Sequence, residues 1–224
     1  MGLYIGNNKY KVMIGNQRGS FVTEDKVLPY GAVDMGLPSG TLWAQGNIVK
    51  DAQDNYYMGE PTEIGCYFSW GNIDGHNTYN EDHYSFDPTN YNASPGGQLT
   101  ASIPSNDAEH DAAVARLGNG WRMPTSDNFI ELFNSNYTTW QWSQINGITG
   151  LLIVSKSNYN QVFLRASGSR YYQNNDSVDN VIYYWSSTLG RSCFAVKSQN
   201  RLEPSFTIGQ RIAGFTIRPV HNAI

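Results

Sequence analysis

An α+β domain is what this sequence predicts. Three observations carry that expectation: two helical patterns sit mid-chain, short strand-like runs at close spacing follow them, and 224 residues suffice for one sizeable core but not for two equal ones.

Over residues 1–30, Leu3-Tyr4-Ile5 and Tyr10-Lys11-Val12-Met13-Ile14 are β-prone runs joined by Gly6-Asn7-Asn8, a hairpin signal. This stretch reads as a small N-terminal β-hairpin ahead of a main domain over residues 31–224. In residues 40–71 apolar residues cluster between turn formers, and Thr41-Leu42-Trp43-Ala44 and Cys66-Tyr67-Phe68-Ser69-Trp70 read as strands. Residues 72–104 are polar, rich in Asn, Tyr, Pro, Gly and His, and without period; a surface loop of that length goes with function or disorder. Residues 106–117 place acids in the first turns and apolar residues three and four apart, then stop at Gly118, which predicts the first helix. Thr125, after Pro124, is a hydroxyl cap for the second, with Phe129, Ile130, Leu132 and Phe133 as its inward stripe. Residues 150–154, 161–165, 181–185, 193–196 and 215–217 then read as short antiparallel strands.

Composition narrows the function classes. Charged residues are 15% of the chain and the net charge is −4, so no basic surface able to hold a phosphate backbone is implied, and nucleic acid is not an expected partner. The 15 Tyr, 6 Trp and 22 Gly, with many Asn and Ser, suit both a loop-rich β core and a binding surface of rigid aromatics and adaptable polar groups. Cys66 and Cys193 are the only cysteines, which excludes a disulfide-stapled mini-fold and a four-cysteine zinc site and leaves open a single bridge between them. His76 and His83 lie among Asp74, Glu81, Asp82 and Asp87, but their spacing matches no zinc pattern; neither a metal nor a cofactor is expected. Residues 1–9 show no basic region followed by an apolar run, so the expectation is a protein that reaches its working place without a secretion signal, released by cell lysis. A chain that has lost a signal is the alternative. No stretch approaches the length of a membrane span.

Four strings stand out: Val33-Asp34-Met35-Gly36-Leu37-Pro38-Ser39-Gly40-Thr41-Leu42-Trp43, Gly120-Trp121-Arg122-Met123-Pro124-Thr125, Tyr184-Trp185-Ser186-Ser187-Thr188, and Gly214-Phe215-Thr216-Ile217-Arg218-Pro219-Val220. The second reads as architecture: Pro124 ends an extended segment and Thr125 opens a helix, so Trp121 and Met123 are placed to pack beneath it. Trp185 and Phe215 are expected in one core. In this order the four strings resemble a family of C-type-lectin-fold domains abundant in gut Bacteroidetes and their phages, related to the variable proteins of diversity-generating retroelements. The resemblance covers residues 33–220 and implies a C-type-lectin-like fold with two helices and short antiparallel strands, a binding role, and no catalysis. The N-terminal runs are similar to short elements of tail-associated proteins of Bacteroides phages.

Other chemistries find less support. Residues 121–125 are also similar to an element of the formylglycine-generating-enzyme superfamily, but those enzymes need reactive cysteines close together, and Cys66 and Cys193 fall outside the matching segments. A calcium-dependent lectin would show an acid-Pro-Asn or Gln-Pro-Asp tripeptide and a later Trp-Asn-Asp; Glu203-Pro204-Ser205 echoes the first and nothing supplies the second. No Gly-x-Ser-x-Gly elbow is present, and Gly118-Asn119-Gly120 lacks the context of a phosphate loop.

Between its framework strings, the segment 189–213 carries mixed polar residues: Arg191, Lys197, Gln199, Asn200, Arg201, Glu203, Ser205, Gln210 and Arg211. The resemblance implies that this stretch contacts ligand and that in some relatives a retroelement rewrites it. An ordinary solvated hairpin is the alternative. Family members often place Leu and Phe three and five residues after the Ala that matches Ala195, where this chain has Ser198 and Asn200. Tyr171, Tyr172 and Tyr183 are expected as aromatic anchors beside the segment. The expected function is thus that of a phage virion protein of the tail or surface that binds a host cell-surface receptor, protein or glycan. Residues 1–30 would attach it to other virion proteins, and a homo-oligomer, with a trimer favoured over a dimer, would supply multivalency. No membrane insertion is expected. The alternatives are a secreted Bacteroidetes adhesin of the same fold at the bacterial surface and, from a different class, a formylglycine-generating-like enzyme.

Overall fold

A computed structural model describes residues 27–76, 99–171, 174–197, 205–207 and 211–222, and these residues form mostly short antiparallel strands with two helices, an α+β architecture. Of the hairpin expected over residues 1–30, all but residues 27–30 lie outside the described part.

The strands are β1 (Ala32–Asp34), β2 (Leu42–Ala44), β3 (Ile48–Lys50), β4 (Tyr56–Met58) and β5 (Trp121–Arg122), then β6 (Thr138–Ile145), β7 (Ile148–Ser155) and β8 (Gln161–Arg165). They continue as β9 (Ser169–Tyr171), β10 (Asn174–Asp176), β11 (Val181–Trp185), β12 (Cys193–Lys197), β13 (Ser205–Thr207) and β14 (Val220–His221). The helices are α1 (Ala112–Leu117) and α2 (Ser126–Leu132). Early and late chain meet in one sheet, ordered β1-β2-β14-β5, where β14 pairs with both β2 and β5. Two three-stranded sheets, β6-β7-β8 and β11-β12-β13, and two hairpins, β3-β4 and β9-β10, complete the set.

The β11-β12-β13 sheet divides the core, and its alternation shows how. Side chains point to opposite faces along a strand. Ile182 and Tyr184 of β11, Phe194 and Val196 of β12, and the partly buried Phe206 of β13 face a cluster built from Trp43, Phe129, Leu132, Leu151, Ile153 and Leu164. Trp185, Cys193 and Ala195, with the partly buried Tyr183, face a second cluster that includes Phe68, Trp70, Ile103, Met123 and Phe215. A sheet covered on both faces reads as a continuous apolar run, which is why Val181-Ile182-Tyr183-Tyr184-Trp185 shows no polar alternation. Trp185 is fully buried and its ring lies 4.4 Å from that of Phe215, as expected.

The second helix forms as its sequence dictates. Thr125 caps it, and Asn128 completes the box by accepting the Thr125 N–H at 3.0 Å while its own N–H donates to the Thr125 hydroxyl. Phe129, Leu132 and Phe133 are buried, but Ile130 points to solvent, 46% exposed: four residues in five positions span more than one face of a helix. The first helix is shorter than its pattern suggested, six residues instead of the expected 106–117. Asp107 takes the N–H groups of Glu109 and His110 on its side chain, and Asp111 takes those of Ala113 and Val114, so the acids cap and turn the chain where a longer helix would need free backbone.

Two expected strands dissolve into single bridges. Among the described residues, 66–70 form β-bridges at Tyr67 with His76 and at Phe68 with Phe215, and residues 214–216 bridge separately to Arg170, Phe68 and Tyr184. Each of these extended pieces meets a different partner, so no ladder builds up. Conversely, the longest hairpin, β6-β7, was not expected although its signal is present. Thr139-Trp140-Gln141-Trp142-Ser143 alternates, and Asn146-Gly147 adopts the left-handed pair of φ values, 52° and 81°, that a tight hairpin turn requires.

Candidate functional site

The segment proposed for ligand contact is held at both ends by the framework strings. At its entry, the serines and threonine after Trp185 stitch the β11–β12 turn to its surroundings: the Ser187 N–H donates to Pro124 O at 2.8 Å, the Ser126 N–H to the Thr188 hydroxyl at 3.0 Å, and the Trp70 indole to Ser186 O at 2.8 Å. At its exit, Gly214 lies so close to β9 that an added Cβ would stand 2.8 Å from that of Arg170, a contact only glycine tolerates. Arg218, fully buried, then donates to Ala44 O at 3.1 Å, to Gln45 O and to Phe163 O at 2.8 Å. Its guanidinium ties β2 and β8 to the terminal string, and burial holds its pKa below the usual arginine value.

Asp111 does the same for residues 120–125. It is 0% exposed and accepts the Met123 N–H at 2.9 Å in addition to capping α1, so one carboxylate joins helix and strand. Burial pushes its pKa up to about 6, against the pull of the three N–H donors and of Arg122 nearby.

Of the residues expected to touch ligand, Arg191 and Ser205 are exposed, Ser205 on β13 with its hydroxyl 3.4 Å from Ala195 O. Tyr171 ends β9 and Lys197 ends β12. Tyr172, Gln199, Asn200, Arg201, Glu203 and Gln210 lie outside the described residues. Two others take structural places. Tyr183, expected as an aromatic anchor, is partly buried and stacks on Phe215 with ring centroids 5.0 Å apart, because position 183 falls on the Trp185 face of β11. Arg211 lies with its guanidinium 4.8 Å from the Trp70 ring centroid and donates to Leu99 O at 2.8 Å.

Those contacts join two surfaces that look separate in the sequence. The described residues that flank these two segments meet: the Ile103 N–H donates to Ser187 O at 2.9 Å, the Leu189 N–H to the Ser102 hydroxyl at 2.9 Å, and the Trp70 N–H to Arg211 O at 2.9 Å. Arg116 of α1 secures the other root, donating to Ile73 O at 2.9 Å and pairing with Asp74. Trp70 was read only as a strand residue; its place at the boundary between an apolar run and a long polar segment was the available signal.

Cys66 and Cys193 are both buried within the second cluster and are not bridged to each other. Burial pushes the Cys66 pKa up to about 12, which leaves essentially no thiolate at neutral pH. Among the described residues no three His, Cys, Asp or Glu side chains come together to hold a metal ion, and no helix is long and apolar enough to cross a membrane. Comparison of the chain with protein-family models, with curated proteins and with solved structures found no match.

Proposed function

We propose that this protein is a ligand-recognition module with a C-type-lectin-like fold, acting as a receptor-binding protein of a phage tail or virion surface. The observation that carries the reading is the mixed character of residues 189–213: between buried, hydrogen-bonded framework on both sides, β12 buries residues 193–196 while Arg191 before it and Ser205 on β13 stand exposed. Rigid support beneath exposed polar residues is what a recognition surface requires. The two thiols fit packing better than chemistry, because a nucleophile or copper ligand needs an accessible thiolate. Multivalent display by a homo-oligomer, attached through residues 1–30, would raise the strength of weak single sites.

The test is adhesion to intact cells of gut Bacteroidetes strains, with circular dichroism as the folding control. Arg191→Ala combined with Lys197→Ala and Arg201→Ala should abolish adhesion and leave the fold intact. A parallel set, Tyr79→Ala, Tyr84→Ala and Tyr91→Ala, probes residues 72–104. Adhesion unaffected by either set would remove the recognition reading.

A further inference from the structure

Asn-Gly occurs twice in the chain, as Asn119-Gly120 and Asn146-Gly147, and the fold puts both pairs at the centre of the same kind of tight turn. Both residues of each pair have left-handed φ values, 51° and 83° in the first and 52° and 81° in the second. The Trp121 N–H closes one turn on Gly118 O at 2.9 Å, and the pairing of Ile145 with Ile148 closes the other. All four residues are exposed. What differs is the surroundings. The His221 ring lies against the first turn: its Nε2 is 2.8 Å from Asn119 O, its centroid is 5.4 Å from that of Trp121, and a Cβ added to Gly120 would collide with it. His221 is itself held opposite Trp121 in the β14-β5 ladder. The second turn is the tip of the β6-β7 hairpin, where a Cβ added to Gly147 would meet nothing within 4 Å among the described residues.

Asparagine before glycine loses its side-chain amide when the glycine nitrogen attacks the carboxamide carbon. The new C–N bond closes a five-membered succinimide, and the nitrogen's proton leaves with the amide group as ammonia. One water then opens the ring to aspartate or to isoaspartate, whose backbone runs through the side-chain carbon. Ring closure needs the attacking nitrogen on the same side of the Cα–C bond as Cβ, whereas in the left-handed conformation, with ψ about +47°, it lies nearly opposite. The turn must therefore open before the reaction occurs, and the rate follows the free energy of that local opening. We propose that Asn146 is a site of spontaneous deamidation at the tip of the β6-β7 hairpin, and that His221 protects Asn119 from the same reaction by holding its turn shut. The product places a carboxylate on a hairpin whose two strands carry no charged residue.

Time-resolved peptide mapping by mass spectrometry, on the full chain held folded at mildly alkaline pH, sets the two sites against each other. Conversion at Asn146 should run at least about tenfold faster than at Asn119, and in urea, where neither turn persists, the two rates should converge. His221→Ala should raise the rate at Asn119 several-fold and leave Asn146 unaltered, so that Asn146 reports on any general loosening of the chain. His221→Gln, whose amide nitrogen can reach Asn119 O, should keep part of the protection. Equal rates in the folded chain would overturn the proposal, and so would a difference that survives in urea, which would belong to the flanking sequence and not to the fold. An Asn119 rate indifferent to His221→Ala would remove the protective role of the ring. Acceleration of both sites by the same factor would remove it too, because His221 would then be a general stability residue.

Discussion

The two faces of the β11-β12-β13 sheet are held by different means. On one face α2 and the β6-β7-β8 sheet press regular elements against Phe194, and the contact is aromatic packing: Phe129 stacks on Phe194 at 4.2 Å and Phe133 lies 4.9 Å away. On the other face the chain is irregular. There, isolated bridges and side-chain donors hold it, with the Trp185 indole on Phe68 O, the Trp70 indole on Ser186 O and Arg211 on Leu99 O. Packing tolerates any side chain of suitable shape, whereas a buried donor tolerates only another donor. The irregular face is also where the roots of residues 72–104 and 189–213 meet, so the surface proposed for recognition grows from the part of the molecule held by specific hydrogen bonds.

The comparison can be broken first by large truncations. Trp185→Ala should cost about 3–5 kcal/mol and Phe194→Ala a similar amount, read by chemical denaturation, since both rings are fully buried. The sharper contrast lies in shape-conserving changes. Trp185→Phe removes the indole donor from Phe68 O, which keeps the Phe215 N–H, and should cost about 0.5–1.5 kcal/mol beyond any packing loss, while Phe194→Leu should lose packing alone, less than about 1.5 kcal/mol. Equal costs would show that both faces are held by packing alone.

A second effect separates the faces by pH. Asp111 belongs to the irregular side, and its pKa is raised to about 6, so the folded state binds a proton more tightly than the unfolded chain does. Its contribution to stability is therefore fully present below pH ~4 and is lost as pH rises through about 6, a decline on the order of 2–3 kcal/mol. Measured as the difference between the parent and Asp111→Asn across that window, the decline should appear in the parent and be absent from the variant. A flat difference would mean that the three N–H donors outweigh burial.

Smaller again is Thr125→Ala, which removes the cap of α2 and should cost about 1 kcal/mol by thermal or chemical unfolding. Smallest is Arg191→Ala, exposed and away from caps and core, which should alter stability by less than about 0.5 kcal/mol.

Much of the regular face was legible in the chain. The bounds expected for β8 and β11 match those observed, and the Thr125 cap opens α2 where its hydroxyl implied. The β6-β7 hairpin could have been read from its alternation and its Asn146-Gly147 turn. The irregular face was less legible for a physical reason. Phe68 meets Phe215, Tyr184 meets Thr216 and Tyr67 meets His76 through single bridges, and an isolated extended residue has no period to betray it. Likewise Asp111 shortened α1 because its carboxylate also serves Met123, a demand that residues 106–117 do not reveal by themselves.

By itself, the sequence determined the local features: the apolar runs of a doubly covered sheet and the cap and box of α2. Those follow from neighbours a few residues apart. Which members of the 189–213 segment are struts and which stand in solvent was decided only in three dimensions. Within it, Arg211 lies over Trp70 and donates to a carbonyl 112 residues away, and ahead of it Tyr183 takes the Trp185 face through its register in β11. Contacts at such separations leave no pattern in either partner's own stretch of chain, because only the folded backbone brings their geometry into being.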